Sequence, residues 1–166
     1  YNPDLSAEAT EALVQFVERG GKLLVCYQLP AQIGAALGFA RPKYVGQKRP
    51  GQFAEIRFSA DDILGLPASI RQASWNITTA EPAGFQARVI GQWYDAEDKA
   101  SGDAAMLLSD RGAFFSHVIL RDDLAGKKQM LASILGQLDA SLWEQMARRA
   151  LDDVGRVGHL DNLESL

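Results

Sequence analysis

The sequence predicts a three-layer α/β domain with a mainly parallel sheet and an antiparallel extension. A helical pattern at residues 6–19 ends at Gly20-Gly21 and leads into residues 22–27, a short and almost wholly apolar segment. Such a segment is typical of a strand buried on both faces of a parallel sheet. Residues 87–120 carry three further strand patterns, joined by a polar insert and a tight turn, which predict an antiparallel meander.

The order of the remaining elements follows from the same patterns. Ser6 is a candidate helix cap, and the sequence predicts a short helix at residues 31–37 and a half-exposed strand at residues 53–58. Residues 66–79 are interpreted as a loop, with one short strand segment within it as the alternative. The meander strands are expected at residues 87–94, 104–108 and 113–120. A helix capped by Asp122 or Asp123 is expected to run through Leu138, followed by another helix at residues 140–151.

Composition limits the classes of function. The 166 residues are 47% hydrophobic, enough for one well-buried domain, which we place at residues 1–151. Residues 152–166 have no clear period and are predicted to be a linker or tail leading to a further domain. The net charge of −4 and the scattered basic residues argue against nucleic acid as a partner. No apolar run approaches the roughly 20 residues of a membrane span, so a soluble domain is expected.

The start of the chain predicts an uncovered sheet edge. Residues 1–4, Tyr-Asn-Pro-Asp, are typical of the end of a strand entering a turn. The helix at residues 6–19 and the strand at 22–27 are therefore interpreted as the second half of a βαβ unit whose first strand precedes Tyr1. A sheet without that strand exposes unpaired backbone or apolar surface, which a partner can cover.

The segment Glu18-Arg-Gly-Gly-Lys-Leu-Leu-Val25, followed by a small-residue helix and a late strand ending near a histidine, resembles the class I glutamine amidotransferase-like domains, which have a flavodoxin-like fold. It is also similar to the trimerisation-type domain of β-galactosidases. The resemblance implies a catalytically degenerate domain with a structural, binding or oligomerisation role in a larger bacterial carbohydrate-active, glycoside hydrolase-like protein. The implied partners are other domains of the same polypeptide, further copies of the chain, and carbohydrate. The implied location is secreted or periplasmic.

The alternative hypothesis is a thiol-dependent amidase or glutamine amidotransferase-type hydrolase. Cys26 would be its nucleophile and His117 its base, with Asp122 or Asp123 orienting the histidine. In the resembled family a proline and a glutamate follow the histidine, whereas Val118 and Ile119 follow it here. A sharp strand-to-helix turn around the nucleophile also requires glycines, and this chain has Leu24 and Gln28 at those positions.

Structural roles account for the same residues. Cys26 is then a small core residue, His117 a hydrogen-bonding group within the sheet, and the Asp122-Asp123 pair a helix cap. This is the interpretation we favour. No histidine or cysteine has partners at the spacing of metal ligands, and the segment Gly34-Ala-Ala-Leu-Gly38 lacks the spacing of a dinucleotide site. The sequence therefore predicts neither a metal site nor a cofactor.

A set of aromatic and amide side chains around the meander suggests a sugar-binding surface. Indole faces beside amide groups can stack on and hydrogen-bond to sugars, although core packing explains large aromatic residues equally well. The candidate ligand-binding residues are Gln72, Trp75, Asn76, Trp93 and Tyr94.

Overall fold

The computed structural model describes residues 4–157, of which residues 155–157 are described in backbone only. Four helices and eight strands follow in the order α1 Ala7–Glu18, β1 Leu23–Cys26, α2 Ala31–Leu37, β2 Phe39–Gly46, β3 Phe53–Phe58, β4 Ser69–Ser74, β5 Asn76–Pro82, β6 Arg88–Tyr94, β7 Ala100–Ser109, β8 Gly112–Phe115, α3 Leu124–Leu138 and α4 Ser141–Val157.

Six strands form the main sheet in the order β1-β8-β7-β6-β3-β4. β1 and β8 are parallel, with Cys26 opposite Phe115, and the other four neighbouring pairs are antiparallel. β2 and β5 form a separate antiparallel pair. This pair is tied to the main sheet by the Thr78 amide, which donates a hydrogen bond to the Ser116 carbonyl at 2.8 Å.

Helices cover both faces of the parallel end of the sheet. Because side chains alternate along a strand, neighbours in β7 and β8 point to opposite faces. Leu107 and Phe114 pack with residues of α1 and α2, whereas Met106 and Phe115 join the core that contains Met130 of α3. The result is a helix–sheet–helix arrangement of three layers, with the carboxyl ends of β1 and β8 adjacent at one rim of the sheet.

The predicted α/β class is confirmed, as are α1 with its Ser6 cap, β1, α2, β3, the β6-β7-β8 meander and the Asp123 cap of α3. The share of parallel pairing is smaller than expected, because β1 and β8 are the one parallel pair among the described strands.

The predicted loop at residues 66–79 was wrong, since it contains β4 and the start of β5. β8 ends at Phe115 rather than residue 120. α4 continues beyond residue 151, so residues 152–157 of the predicted tail are helical, and residues 158–166 lie outside the described part.

Candidate functional site

Cys26 and His117 lie at the same rim of the sheet. Cys26 is the last residue of β1, and His117 follows the end of β8 by two residues. Since β1 and β8 are parallel neighbours, their carboxyl ends meet, and in open α/β sheets this rim is where ligands bind. The placement therefore agrees with the thiol hypothesis at the level of topology.

The Cys26 thiol sits among core side chains. It is half-buried and packs against the cluster that contains Phe115 and Met106. Burial raises the pKa of the thiol above its ordinary value, because the thiolate would lose its hydration there. Within residues 4–157, no hydrogen bond joins Cys26 to His117 or to any other side chain that could take its proton. The environment favours the neutral, unreactive thiol.

The backbone after Cys26 makes a sharp turn. Tyr27 has a φ of +67°, a left-handed conformation that is uncommon for a residue other than glycine. The Gln28 amide donates back to the Cys26 carbonyl at 2.9 Å, and the Tyr27 amide donates to the Phe115 carbonyl at 2.8 Å. An oxyanion hole needs amides that point at the substrate, commonly including the one after the nucleophile. Both amides that follow Cys26 are already used within the fold.

His117 is enclosed by β4 and two aromatic rings. Its side chain is buried, and the rings of Tyr27 and Trp75 meet it edge-on, at centroid distances of 5.4 and 5.9 Å. Its Nδ1 lies 3.0 Å from the Val118 carbonyl oxygen and 3.2 Å from Nε2 of Gln72. A protonated Nδ1 donates to Val118, and an unprotonated one accepts from Gln72, so this nitrogen has a partner in either tautomer.

The charge state of His117 follows from this environment. Burial lowers the pKa of the imidazole below its ordinary value. The positive charge of Lys127 lowers it further, and together these effects outweigh the opposing effect of the Val118 carbonyl. A neutral imidazole is thus stabilised within the fold.

Asp122 and Asp123 cover the free edge of β4. A carboxylate oxygen of Asp122 accepts the Ala73 amide at 2.9 Å, and one of Asp123 accepts the Arg71 amide at 3.0 Å. The second oxygen of Asp122 accepts from Lys127 Nζ at 2.6 Å, and this lysine is almost wholly buried. Asp123 also caps α3 through the Gly126 amide. Asp122 is therefore engaged by β4 and α3, and no contact between it and His117 is present in the described structure.

The pKa values of both carboxyl groups agree with this role. Partial burial opposes ionisation of Asp122, but hydrogen bonds from Lys127 and from the Ala73 amide outweigh it and lower the pKa of that carboxyl. The Arg71 amide is the main cause of the lowered pKa of Asp123. Both groups are held as carboxylates and act as acceptors for β4.

The structure separates the five residues of the predicted sugar-binding surface. Trp93 and Gln72 are fully buried, and the Trp93 indole donates to Ser116 Oγ at 2.8 Å, so neither faces a surface ligand. Tyr94 stacks against the Arg57 guanidinium, 4.3 Å from the ring centroid. Trp75 is 59% exposed, and its ring lies against His117. Asn76 carries a buried Oδ1 with no hydrogen-bond partner in the described structure.

A groove of about 960 Å³ runs along the outer side of β1. β1 is the last strand at its end of the main sheet, as an uncovered edge requires. All four β1 residues line the groove, together with Leu5, which precedes α1. Side chains of α1, of α2 and its preceding turn, and of the β2–β5 pair complete the lining; these include Leu13, Leu29, Ile33 and Tyr44. Sequence patterns cannot show such a groove, because its walls come from segments distant in the chain.

Two classes of site find no support in this part of the chain. Within residues 4–157 no group of three or more His, Cys, Asp or Glu side chains is placed to hold a metal ion. None of the helices in the same range has the length and apolar character to cross a membrane.

The chain matches no family model and no curated protein. Among solved structures it is similar to a GMP synthase-type protein from Thermoplasma acidophilum, with a TM-score of 0.53 and 10% identity over 84% of this chain and 68% of that one. It also matches a glutamine amidotransferase from Thermotoga maritima, with a TM-score of 0.44 and 9% identity over 80% and 54%. The first likeness gives this chain a glutamine amidotransferase-like fold. At 10% identity, this likeness is one of fold.

Proposed function

We propose that this chain is a non-catalytic domain of glutamine amidotransferase-like fold, with a structural and binding role in a larger carbohydrate-active protein. The main support is the backbone after Cys26, where the amides of Tyr27 and Gln28 are bonded to the Phe115 and Cys26 carbonyls. Acyl transfer by a thiol builds negative charge on a carbonyl oxygen, and losing one donor to that oxygen costs about a hundredfold or more in rate. A site with both amides occupied lacks this stabilisation.

The thiol and the imidazole support the same proposal. A nucleophilic cysteine needs a lowered pKa or a base within hydrogen-bond reach, whereas burial raises the pKa of Cys26 and no such base contacts it in the described structure. His117 is bonded through Nδ1 to the Val118 carbonyl or to Gln72, and its position beside Tyr27 and Trp75 fits a packing role. The two residues share a rim of the sheet without forming a dyad.

The binding role is supported by the groove beside β1. An apolar groove along a free strand edge fits an extended polypeptide, since a strand can add to the sheet and place alternate side chains in the groove. Other segments of the same polypeptide are the partners we propose for it. The carbohydrate context comes from the sequence resemblance, and the exposed Trp75 is the aromatic side chain of the predicted set that could stack on a sugar.

The second candidate is a thiol-dependent amidohydrolase that uses Cys26 and His117. Their position at the carboxyl ends of adjacent parallel strands favours it, as does the left-handed Tyr27 directly after Cys26. The fold of the structural neighbours also agrees with this candidate. It requires a rearrangement that frees the Tyr27 or Gln28 amide and brings the imidazole to the thiol.

Ammonia release from glutamine separates the two candidates. We expect the chain to hydrolyse no glutamine above background, with no difference between the wild type and Cys26→Ser. Ammonia release that is lost in both Cys26→Ser and His117→Ala would overturn the proposal, provided that circular dichroism shows both variants folded. In a parallel assay with aryl glycosides we expect no turnover, because the described carboxylates form no pair across a cleft.

A further inference from the structure

A second pocket lies between the β2–β5 pair and the main sheet. Its volume is about 330 Å³, and it is lined by side chains of β2, β5, β6 and β7. It shares no lining residue with the groove beside β1. At about 30 Å³ for each water molecule of the liquid, the space corresponds to roughly eleven waters, or to a ligand with about that number of non-hydrogen atoms. The pocket therefore has the size of a small molecule rather than of a polypeptide segment.

Irregularities in two strands shape this pocket. In β2, residues 41 and 42 oppose a single residue of β5, and Arg41 has a φ of +52°, which is uncommon for a residue other than glycine. In β7, residues 101–103 oppose a single residue of β6, and Gly102 has a φ of +84°. Bulges of this kind re-aim side chains and are common next to functional sites. Charged side chains reach the pocket from both irregular segments, Arg41 and Lys43 from β2 and Asp103 from β7.

The charges of the pocket balance, but only two of them pair with each other. The ionised side chains in its lining are Arg41, Lys43, Glu81 and Asp103. Arg41 donates a hydrogen bond to Glu81 at 3.1 Å, and both side chains are exposed. Within residues 4–157, neither the Lys43 ammonium nor the carboxylate of the half-buried Asp103 has an ion-pair or hydrogen-bond partner. One cation and one anion thus line the same small space without bonding to each other.

Neutral side chains complete the lining. Thr79 Oγ1 donates to the Ala104 carbonyl at 3.3 Å, and its oxygen keeps lone pairs that can accept a hydrogen bond. The exposed Gln92 amide can donate and accept, and it has no hydrogen-bond partner in the described structure. Val89 and Ala80 supply apolar contacts. Sites for small molecules typically combine apolar lining with a few polar groups that fix the orientation of the ligand, and this pocket has both.

The charges indicate the class of ligand. An anion such as phosphate would meet two carboxylates and a polyamine would meet two cationic side chains, and such like-charge contacts are unfavourable. A small zwitterion instead gives Lys43 and Asp103 a partner each. We propose that this pocket binds a small α-amino acid, with its carboxylate on Lys43, its ammonium on Asp103 and its side chain beside Gln92. The pocket involves neither Cys26 nor the β1 groove, so the proposal holds whether or not the domain is catalytic.

Titration of the isotope-labelled 166-residue chain with L-serine, followed by NMR, tests the site. We expect saturable shifts of the amide signals of residues 79–82 and 102–104, with a dissociation constant of about 0.1 to 10 mM, because Lys43 is exposed and exposed ion pairs are weak. N-acetyl-L-serine lacks the ammonium and L-serinamide lacks the carboxylate, so each should bind at least about tenfold more weakly. No saturable shift up to about 50 mM, or equal binding of the three compounds, would overturn the proposal.

Substitutions of the two unpaired charges locate the site. Lys43→Gln and Asp103→Asn should each weaken the binding of L-serine by at least about tenfold, since each removes one charged partner of the ligand. Lys48 and Asp61 are also exposed and do not line the pocket, so Lys48→Gln and Asp61→Asn are the matched controls and should leave the affinity unchanged. Unchanged amide signals far from the pocket check that each variant is folded. Equal affinities of the wild type and both pocket variants would place the amino acid elsewhere and contradict the proposal.

Discussion

The two edges of the main sheet differ in how their backbone is covered. At the β4 edge, carboxylates of Asp122 and Asp123 accept the Ala73 and Arg71 amides, and the buried Lys127 holds Asp122 in place. At the β1 edge an apolar groove of about 960 Å³ runs beside the strand. One edge is closed by charged groups of the chain itself, and the other is open.

Closing an edge with charged side chains is a common way to prevent a further strand from adding to it. The β4 edge fits this pattern. The apolar β1 edge has no such protection among the described residues, which agrees with the sequence-based expectation of an uncovered edge. Whether a strand precedes Tyr1 stays a prediction. The acidic pair after β8 is bonded to the backbone of β4, and interactions with other segments are to be sought at β1.

The largest expected effect is the loss of stability when the closed edge is opened. Asp122→Ala leaves the Ala73 amide and the buried Lys127 with one partner fewer each, and we expect a loss of about 2 kcal/mol in the free energy of unfolding, measured by urea denaturation. The ion pair of Glu81 with Arg41 is exposed on both sides, so Glu81→Ala should cost about 0.5 kcal/mol or less.

A second substitution tests the cause of that loss. If the unpaired Lys127 accounts for part of it, adding Lys127→Met to Asp122→Ala should recover stability, because the buried charge is then removed. Similar losses for Asp122→Ala and Glu81→Ala would show that the β4 edge does not depend on the carboxylate.

The next effect is a fall in stability on acidification, in two steps. Burial lowers the pKa of His117 in the folded chain. Below the ordinary value of about 6.5, the unfolded chain therefore binds a proton that the folded chain does not. The free energy of unfolding then decreases as the pH decreases. The lowered pKa values of Asp122 and Asp123 stabilise the fold above about pH 4, and this contribution is lost as pH falls through their folded values.

Variants assign the two steps. His117→Gln should flatten the dependence of the free energy of unfolding on pH below about pH 6.5, whereas Asp122→Asn should reduce the fall below about pH 4. His159→Gln is the histidine control for the upper step. An unchanged upper step in His117→Gln would show that another group titrates there.

The smallest effect is a difference in amide exchange between the edges. In a parallel ladder alternate amides of an edge strand point outward. Because the Tyr27 amide bonds to β8, the amides of Leu24 and Cys26 are expected to face the groove. They should exchange at least about tenfold faster than the Arg71 and Ala73 amides in NMR-detected hydrogen exchange. Equal protection would mean that the β1 edge is also covered.

The elements that sequence patterns predicted are those in which local signals agree with the fold. α1 has the Ser6 cap and ends before Gly20, and β1 is uniformly apolar. β4 was missed because two of its inward positions hold Gln72 and Ser74, which hides the alternation of a strand. Those polar side chains are buried together and the Gln72 amide reaches the Val118 carbonyl, a partner 46 residues away in the chain.

The candidate site shows the same limit. The position of Cys26 at a strand end and the capping role of Asp123 follow from local sequence. The bond from the Tyr27 amide to the Phe115 carbonyl and the position of Trp75 against His117 join segments far apart in the chain. Periodicity and spacing carry no information on such pairs. The predicted sugar-binding set mixed buried and exposed aromatic residues for this reason.

Alkylation of Cys26 tests the central claim, that the thiol site is inactive, most directly. Cys26 is the only cysteine, so the rate of iodoacetamide labelling near neutral pH reports on this thiol alone. We predict labelling at least about tenfold slower in the folded chain than in the unfolded one, with the same rate in the wild type and in His117→Ala, since burial keeps the thiol neutral and no base contacts it in the described structure. Rapid labelling of the folded chain that is lost in His117→Ala would reveal a working dyad and contradict the account.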